Sequence, residues 1–399
     1  MTFKKSNKRR IFLDYASTTP LDLKVRRVME PYFTNNFGNP SSLYDEGMSA
    51  KRAVGDARST IAKILHARSE EIIFTGSGTE ADNLALLGVY NYFRTHIQKP
   101  HIITTTIEHP AILETCRYIE SVGGEVTYVG VSENGIVSSR KIKEAIKENT
   151  VLVSVMYANN EIGTIEPIRE IAKMIHAYKK ESRKTFPYFH TDAAQAANYL
   201  DLNIEIMRVD LMTLDGSKIY GPKGVGVLYA KKGLELRPYI HGGGQERGLR
   251  SGTENVPAIV GIASALSLTQ EMREKESARL VKLRDFFIAE LEKIPGLTVN
   301  GDKNARLPNN INICVRGLDA EFAVIQLNEK GIACSSVSAC KNLSENSASY
   351  VIEALGEKGK ECSTSSLRLT LGRYTTKQDI DYTLKVLKEI VAHSIFRMV

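Results

Sequence analysis

From residue 71 onward, short runs rich in β-branched residues alternate with longer stretches whose apolar positions recur every three or four residues. The runs fall at 71–75, 101–106, 125–129, 151–158 and 188–192, and the helical stretches between them at 79–92, 111–122, 139–147 and 167–179. Strands alternating with helices at this spacing imply a mostly parallel sheet with helices on both faces. Pro167 suits a helix start, where no amide donor is needed. Two more runs, at 210–214 and 226–230, complete the sheet, the last pair as an antiparallel addition.

After Gly242-Gly243-Gly244 the pattern changes. A stretch over 257–291, rich in Glu, Lys, Arg and Leu at helical spacing, predicts one long connecting helix. The strand-helix pattern then restarts, with strands at 297–300, 310–315, 332–335 and 366–371, a helix at 319–330 and a C-terminal helix, which together predict a second, smaller α/β domain. The expected division is a tail at 1–10, a large domain over 11–256 of which 11–60 packs partly on the small domain, and 257–399 as connecting helix and small domain. The segment 335–347 holds five Ser, two Asn and Cys340, the composition of a surface loop rather than a packed element.

Composition narrows the class without deciding it. A chain of 399 residues exceeds the ~250–300 that one core usually organises, which agrees with two domains. No apolar run approaches the ~18–20 residues of a membrane span, so no membrane association is expected. The first ten residues carry five Lys and Arg but lack the apolar stretch of a secretory signal, and read as a solvated basic tail. The net charge of +7 comes without a basic stripe interleaved with aromatics, so no direct nucleic-acid partner is expected. Five scattered cysteines, Cys116, Cys314, Cys334, Cys340 and Cys362, include no Cys-x-x-Cys pair and fit a reducing cytoplasm. Cys116 and Cys314 read as small core residues, while His66, His96, His101, His176 and His393 show no ligand spacing.

Three segments carry candidate chemistry. Phe74-Thr75-Gly76-Ser77-Gly78-Thr79-Glu80 runs from a strand through glycines into a helix, whose free N–H groups suit an anion such as phosphate. Asp192, in Phe189-His190-Thr191-Asp192-Ala193-Ala194-Gln195, lies at the carboxyl end of a predicted strand, where open α/β sheets place ligands. Lys218, in Asp215-Gly216-Ser217-Lys218-Ile219-Tyr220-Gly221-Pro222, sits among small residues at another strand end and is a candidate to bond an aldehyde. Taken singly these also read as a turn, a helix N-cap and a surface charge.

In this order the three segments resemble fold-type I pyridoxal-phosphate (PLP) enzymes, and specifically the cysteine desulfurases of the NifS/IscS type. The resemblance runs from Leu13-Asp14-Tyr15-Ala16-Ser17-Thr18-Thr19-Pro20 to Leu371-Gly372-Arg373-Tyr374-Thr375-Thr376. It includes Phe37-Gly38-Asn39-Pro40-Ser41-Ser42, Glu108-His109, Asn159-Asn160-Glu161-Ile162-Gly163 and His241-Gly242-Gly243-Gly244-Gln245-Glu246-Arg247-Gly248. It implies that Lys218 holds PLP covalently, Asp192 pairs with the pyridinium nitrogen, His109 stacks on the ring and Gln195 reaches its phenolate oxygen. Gly78, Thr79 and Ser217 would hold the phosphate, and Thr253 the phosphate of a neighbouring subunit's cofactor in a two-fold homodimer. Asn160 and Arg368 would grip the carboxylate of the substrate L-cysteine. Cys340, in Ser335-Ser336-Val337-Ser338-Ala339-Cys340, matches the family's nucleophile. As a thiolate it would take the substrate's sulfur as a persulfide, release alanine, and pass the sulfur to an acceptor or Fe–S scaffold protein. It is also the one residue here expected to ligate a metal, if a nascent cluster is shared with that scaffold.

The sequence departs from the family where Ser-Gly-His-Lys is usual and Asp215-Gly216-Ser217-Lys218 stands instead. Two unit charges ~4 Å apart near a surface interact by roughly 4 kcal/mol, so an ionised Asp215 would weaken phosphate binding unless protonated or turned aside. Val337, where relatives often have glycine, would be expected to stiffen the Cys340 loop. The alternatives are a non-catalytic or weakly PLP-binding paralogue that acts as an interaction subunit, and a selenocysteine lyase or other PLP lyase. A nicotinamide dehydrogenase is disfavoured because Gly76-Ser77-Gly78 lacks the third glycine of Gly-x-Gly-x-x-Gly.

Overall fold

The computed structural model describes residues 10–336 and 348–396, with side chains to 392. Seven strands form the central sheet: β1 (Ile72–Thr75), β2 (His101–Thr105), β3 (Glu125–Val129), β4 (Thr150–Ser154), β5 (Tyr188–Asp192), β6 (Leu211–Asp215) and β7 (Gly226–Ala230). Their order across the sheet is β1-β7-β6-β5-β4-β2-β3. Every neighbouring pair is parallel except those made by β7, which runs antiparallel to both β1 and β6. The antiparallel addition expected from the sequence is therefore inserted inside the sheet.

Alternate residues of each strand feed opposite faces, as the two-residue period requires. Ile73, Ile102, Leu152 and Leu211 pack under the helices α1 (Gly78–Phe93) and α2 (Pro110–Ser121), against Leu84, Ala85 and Ile112. Ile72, Phe74, Ile103, Val153 and Met212 face the other core, with Ile171, Ile259 and Ile262. Covered on both sides, β4 and β5 are buried at all five positions, which is why β4 reads as an apolar run through Val151-Leu152-Val153, while β5 buries the polar His190, Thr191 and Asp192 toward its carboxyl end. The run predicted to reach 158 leaves regular strand geometry after Ser154. Even so, Val155 and Tyr157 still donate to the carbonyls of His190 and Asp192, so the chain follows β5 out to the sheet's carboxyl edge.

The long helix α3 (Val256–Leu291) begins where Asn255 accepts the Ala258 amide and Pro257 fills the first turn. Over 36 residues it spans ~54 Å. It packs along the helix Asp45–Leu65 and leads to a four-stranded antiparallel sheet of β8 (Leu297–Val299), β9 (Asn310–Val315), β10 (Ser335–Ser336) and β11 (Ser366–Thr370), in the order β10-β11-β9-β8. The single strand expected over 332–335 is two. Ile332–Ala333 pairs with Ile11–Phe12, and after Cys334 the chain changes sheets to become β10. An apolar run this short shows burial but not which neighbour it pairs with.

The cysteine reading is corrected in one respect. Cys314 on β9 and Cys362, at the end of the helix Glu357–Cys362, form a disulfide. They meet because β9 and β11 pair with Cys314 opposite Ser366, just beyond that helix. A partner 48 positions away leaves no spacing signature. Cys116 and Cys334 are buried thiols, both pushed up by burial, Cys334 to about 12. No helix among the described residues is long and apolar enough to cross a membrane.

Candidate active site

The carboxyl ends of β5 and β6 and the start of α1 enclose a cavity of about 180 Å³. Onto it the structure brings Gly78, Thr79, His109, Asn160, Asp192, Gln195, Lys218 and Arg368, eight of the residues singled out in the sequence. Ser217 lies just behind the wall, bonded to Asp215, which lines it. Thr253 lines a different depression, with Gly76 and Arg250. Cys340 falls outside the described residues.

Lys218 ends a single 3-10 turn that follows β6. Its position is fixed from the amino-terminal motif: Thr19 donates its amide (2.9 Å) and hydroxyl (2.8 Å) to the Ser217 carbonyl, and Tyr220 donates its amide to the Thr19 hydroxyl at 2.7 Å. Asn198 donates to the Lys218 carbonyl at 2.6 Å, and the Lys218 amine itself donates to the Ser17 carbonyl. The segment 16–19 is thus a support for the lysine, a role its sequence did not display.

Asp192 is buried, and its Oδ1 accepts the Ala194 amide at 2.9 Å. Burial raises its carboxyl above the ordinary range, and raises Asp82 further, with the charge of Asp192 adding to the push. Two buried carboxyls this close favour keeping a proton on one of them, and Asp82, the more deeply perturbed, is the one that retains it. Asp82 is a residue the sequence reading missed, although it stands three positions after Thr79 on the same face of α1. Behind it His190 bonds Ser154 (2.9 Å) and Thr213 (3.1 Å), and burial pushes its imidazole down to about 3, so it is neutral.

His109 caps α2: its Nδ1 accepts the Ala111 amide at 3.1 Å, which leaves the ring proton on Nε2. Burial, followed by the charge of Lys218, lowers it to about 4, so the ring over the cavity is uncharged at neutral pH. Its neighbour Glu108 points away from the cavity to accept the Met156 amide and the Thr105 hydroxyl, and burial pushes it up to about 8. Gln195 donates to the Ala16 carbonyl at 2.9 Å, which orients its side chain across the cavity mouth.

Asn160 is presented by a tight turn. The Asn159 side chain accepts the amides of Glu161 (2.8 Å) and Ile162 (2.9 Å), and Gly163 closes the turn at φ +74°, where a Cβ would strike Asn310 at 2.5 Å. Arg368, on β11, donates to Asp14 at 2.8 Å and to the Asn160 carbonyl at 3.1 Å. The buried Asn160 Oδ1 and Arg368 Nε have no hydrogen-bond partner among the described residues. Orphaned buried groups of this kind are rare, and a ligand carboxylate supplies what the arginine lacks.

The phosphate end differs. Asp215 is not turned aside, as the sequence left open: its Oδ2 accepts the Gly78 amide at 2.9 Å, and its Oδ1 accepts the amide (2.7 Å) and hydroxyl (2.5 Å) of Ser217. The donor set therefore fits PLP at its ring, with an amine, a buried carboxylate and a neutral imidazole, and at its phosphate two of the three expected donors, Gly78 and Ser217, are already engaged by Asp215. Among the described residues no three His, Cys, Asp or Glu side chains gather as a metal site.

A family model described as Aminotransferase class-V matches residues 11–383. The chain belongs to the class-V aminotransferase family. Within this family it is 44% identical over 385 residues to a cysteine desulfurase IscS of Dictyoglomus turgidum, covering 96% of this chain and 95% of that one. It is equally 44% identical over 381 residues to the IscS of Methanosarcina thermophila, covering 96% and 92%. Among solved structures, a NifS-like protein superposes with a TM-score of 0.89 at 34% identity, covering 96% of this chain and all of that one. A structure of SspA in complex with cysteine superposes with a TM-score of 0.78, also at 34% identity, covering 92% and all of it. The expected fold, a mostly parallel sheet under helices with a smaller C-terminal sheet, is that of these PLP enzymes.

Proposed function

We propose that this chain is a PLP-dependent cysteine desulfurase that converts L-cysteine to L-alanine and carries the sulfur off as a persulfide on Cys340. The observation that carries the reading is the convergence of Lys218, Asp192 and Arg368 on one cavity, in a chain whose relatives over 96% of its length are named for this activity. The SspA complex supports the choice of amino acid, since a similar fold there holds cysteine. PLP, when bound, supplies an electron sink for the carbon that bears the amino group.

The protein's own groups do the rest. Lys218 holds the cofactor and moves a proton at the substrate's α-carbon. Asp192, its carboxyl raised by burial, would pair with the pyridinium N–H and hold that proton in place. Neutral His109 would cover the ring, Gln195 would meet its oxygen, and Gly78, Thr79 and Ser217 would provide the phosphate end. Arg368 and Asn160 hold the substrate carboxylate. The Cys340 thiolate attacks the substrate sulfur: an S–S bond forms, the substrate's C–S bond breaks, and its electron pair stays on carbon, which takes a proton to give alanine. Thr253, remote from its own cavity, serves the partner's site in a two-fold dimer. The sulfur then passes to an acceptor or Fe–S scaffold protein in the cytoplasm. The Cys314–Cys362 disulfide pulls against that compartment, because reducing surroundings keep most thiols free.

The test is to incubate PLP-saturated protein with L-cysteine and measure alanine and, by alkylation and mass spectrometry, persulfide. Wild type should yield both. Lys218→Ala should lose both, and Cys340→Ala should keep cofactor absorbance while losing persulfide. Absence of alanine from PLP-saturated wild type would falsify the reading in favour of a non-catalytic paralogue.

A further inference from the structure

We propose that Asp215 is a resident anion at the phosphate end of the cavity, and that it sets the preference of this protein between PLP and the non-phosphorylated aldehyde pyridoxal. The inference rests on the reading above that the cavity takes a PLP-type cofactor. Asp215 is the last residue of β6, three positions before Lys218, and it faces the start of the 16-residue helix α1. A phosphate at such a helix end is held by backbone amides and hydroxyls that point at it. Here the amides of Gly78 and Ser217 and the hydroxyl of Ser217 all point at the Asp215 carboxylate, at 2.9, 2.7 and 2.5 Å. The fit is close: a Cβ on Gly78 would lie 3.0 Å from both Cβ and Oδ2 of Asp215.

Capping of the short turn at 216–218 explains only half of this. An N-cap aspartate needs the Ser217 amide, whereas Gly78 is 137 positions away, across the cup. Arg250, at the same helix end, is bound to Glu80 at 2.7 Å, and Glu80 in turn accepts the Gly76 amide at 2.9 Å, while Lys218, the cation that shares the cavity with Asp215, is the group that would bond the aldehyde. The start of α1 therefore already carries two carboxylates. An arriving phosphate must break the bonds made to Asp215 and settle beside its charge, whereas the hydroxymethyl group of pyridoxal faces neither demand. The consequence is weak discrimination between the two aldehydes and a readily exchanged cofactor.

The experiment is a titration of wild type, Asp215→Ser and Asp215→Asn with PLP and separately with pyridoxal, read by the visible absorbance of bound aldehyde, with Lys218→Ala as blank and thermal melting as the check on folding. Because bonds to a charged acceptor contribute about 1.5–3 kcal/mol, D215S should bind PLP about 10- to 100-fold more tightly. Pyridoxal affinity should change little, and D215N should fall between. A ratio of the two dissociation constants that is the same in wild type and both variants overturns the proposal. Should D215S not fold, inorganic phosphate decides on wild type. A cup filled by Asp215 leaves PLP affinity unchanged in excess phosphate, and competition by phosphate refutes it. If neither aldehyde gives Lys218-dependent absorbance in any variant, the cofactor reading itself is wrong, an outcome distinct from an unchanged ratio.

Discussion

Replacing Arg368 by lysine separates a fixed carboxylate clamp from a simple positive charge. Arg368 is 3% exposed, and its nitrogens are committed unequally: Nη2 to Asp14, Nη1 to the Asn160 carbonyl, and Nε to nothing among the described residues. Held on two sides, the planar fork offers Nε to an incoming carboxylate without first losing rotamer freedom. A lysine at this depth is a single point donor and cannot serve Asp14, Asn160 and a substrate together. Hydrogen bonds to charged groups are worth about 1.5–3 kcal/mol, and each 1.4 kcal/mol is about tenfold. Arg368→Lys should therefore raise KM for L-cysteine by about 10- to 100-fold. The turnover number should fall less, because a clamp on the carboxylate holds ground and transition states alike. Steady-state alanine formation at saturating PLP measures both constants, and thermal melting confirms that the protein is folded. A KM within twofold of wild type, in a folded and PLP-loaded variant, would show that Arg368 is structural and that the substrate carboxylate lies elsewhere.

Two further predictions concern stability. Burial pushes Glu166 up to about 8, since one carboxyl oxygen accepts only the Val137 amide at 2.8 Å and the other has no partner among the described residues. The folded state thus keeps a proton that the unfolded state releases near pH 4.5, so the favourable contribution is full below that value and is lost as pH rises toward 8. Glu166→Gln should be near neutral at pH 4.5 and stabilising by roughly 3–5 kcal/mol at most above pH 8, by urea unfolding at the two pH values; a difference that does not grow with pH contradicts the assignment. The Cys314–Cys362 bond closes a loop over a separation of 48 residues, for which chain entropy gives a ceiling of about 4 kcal/mol. Dithiothreitol should lower the unfolding midpoint of wild type and leave that of Cys314→Ser unchanged. Unreduced protein, opened in denaturant, should show three thiols from five cysteines less the two in the bond, and a count of five would disprove it.

What the sequence displayed and what it hid divide along physical lines. Strand and helix periods depend on neighbours in the chain, so β3, β5 and β7 fall where the pattern places them, residue for residue. Pairing depends on neighbours in space. The split of the run at 332–335 between two sheets and the partnership of Cys314 with Cys362 are both invisible to periodicity. The cavity follows the same division. Lys218, Asp192 and His109 were legible because their chemistry is carried by local motifs, and Arg368 because the resemblance spans the chain. Asp82, which holds a proton beside Asp192, and Asp14, which aims Arg368, act only through the folded chain.

Asp215 is the instructive intermediate. Its charge was visible in the sequence, and Coulomb's law alone set it against a phosphate, but the sign of its consequence depended on which way the carboxylate turned. The fold answers by offering it three donors, the Gly78 amide at the start of α1 and the amide and hydroxyl of Ser217 on the turn that follows β6. What looks in the sequence like damage to a binding motif is, in three dimensions, a satisfied anion site. The same contacts that stabilise this part of the fold are those a phosphate would have to win, so the stability of the apo-protein and its affinity for PLP are coupled with opposite sign through one side chain.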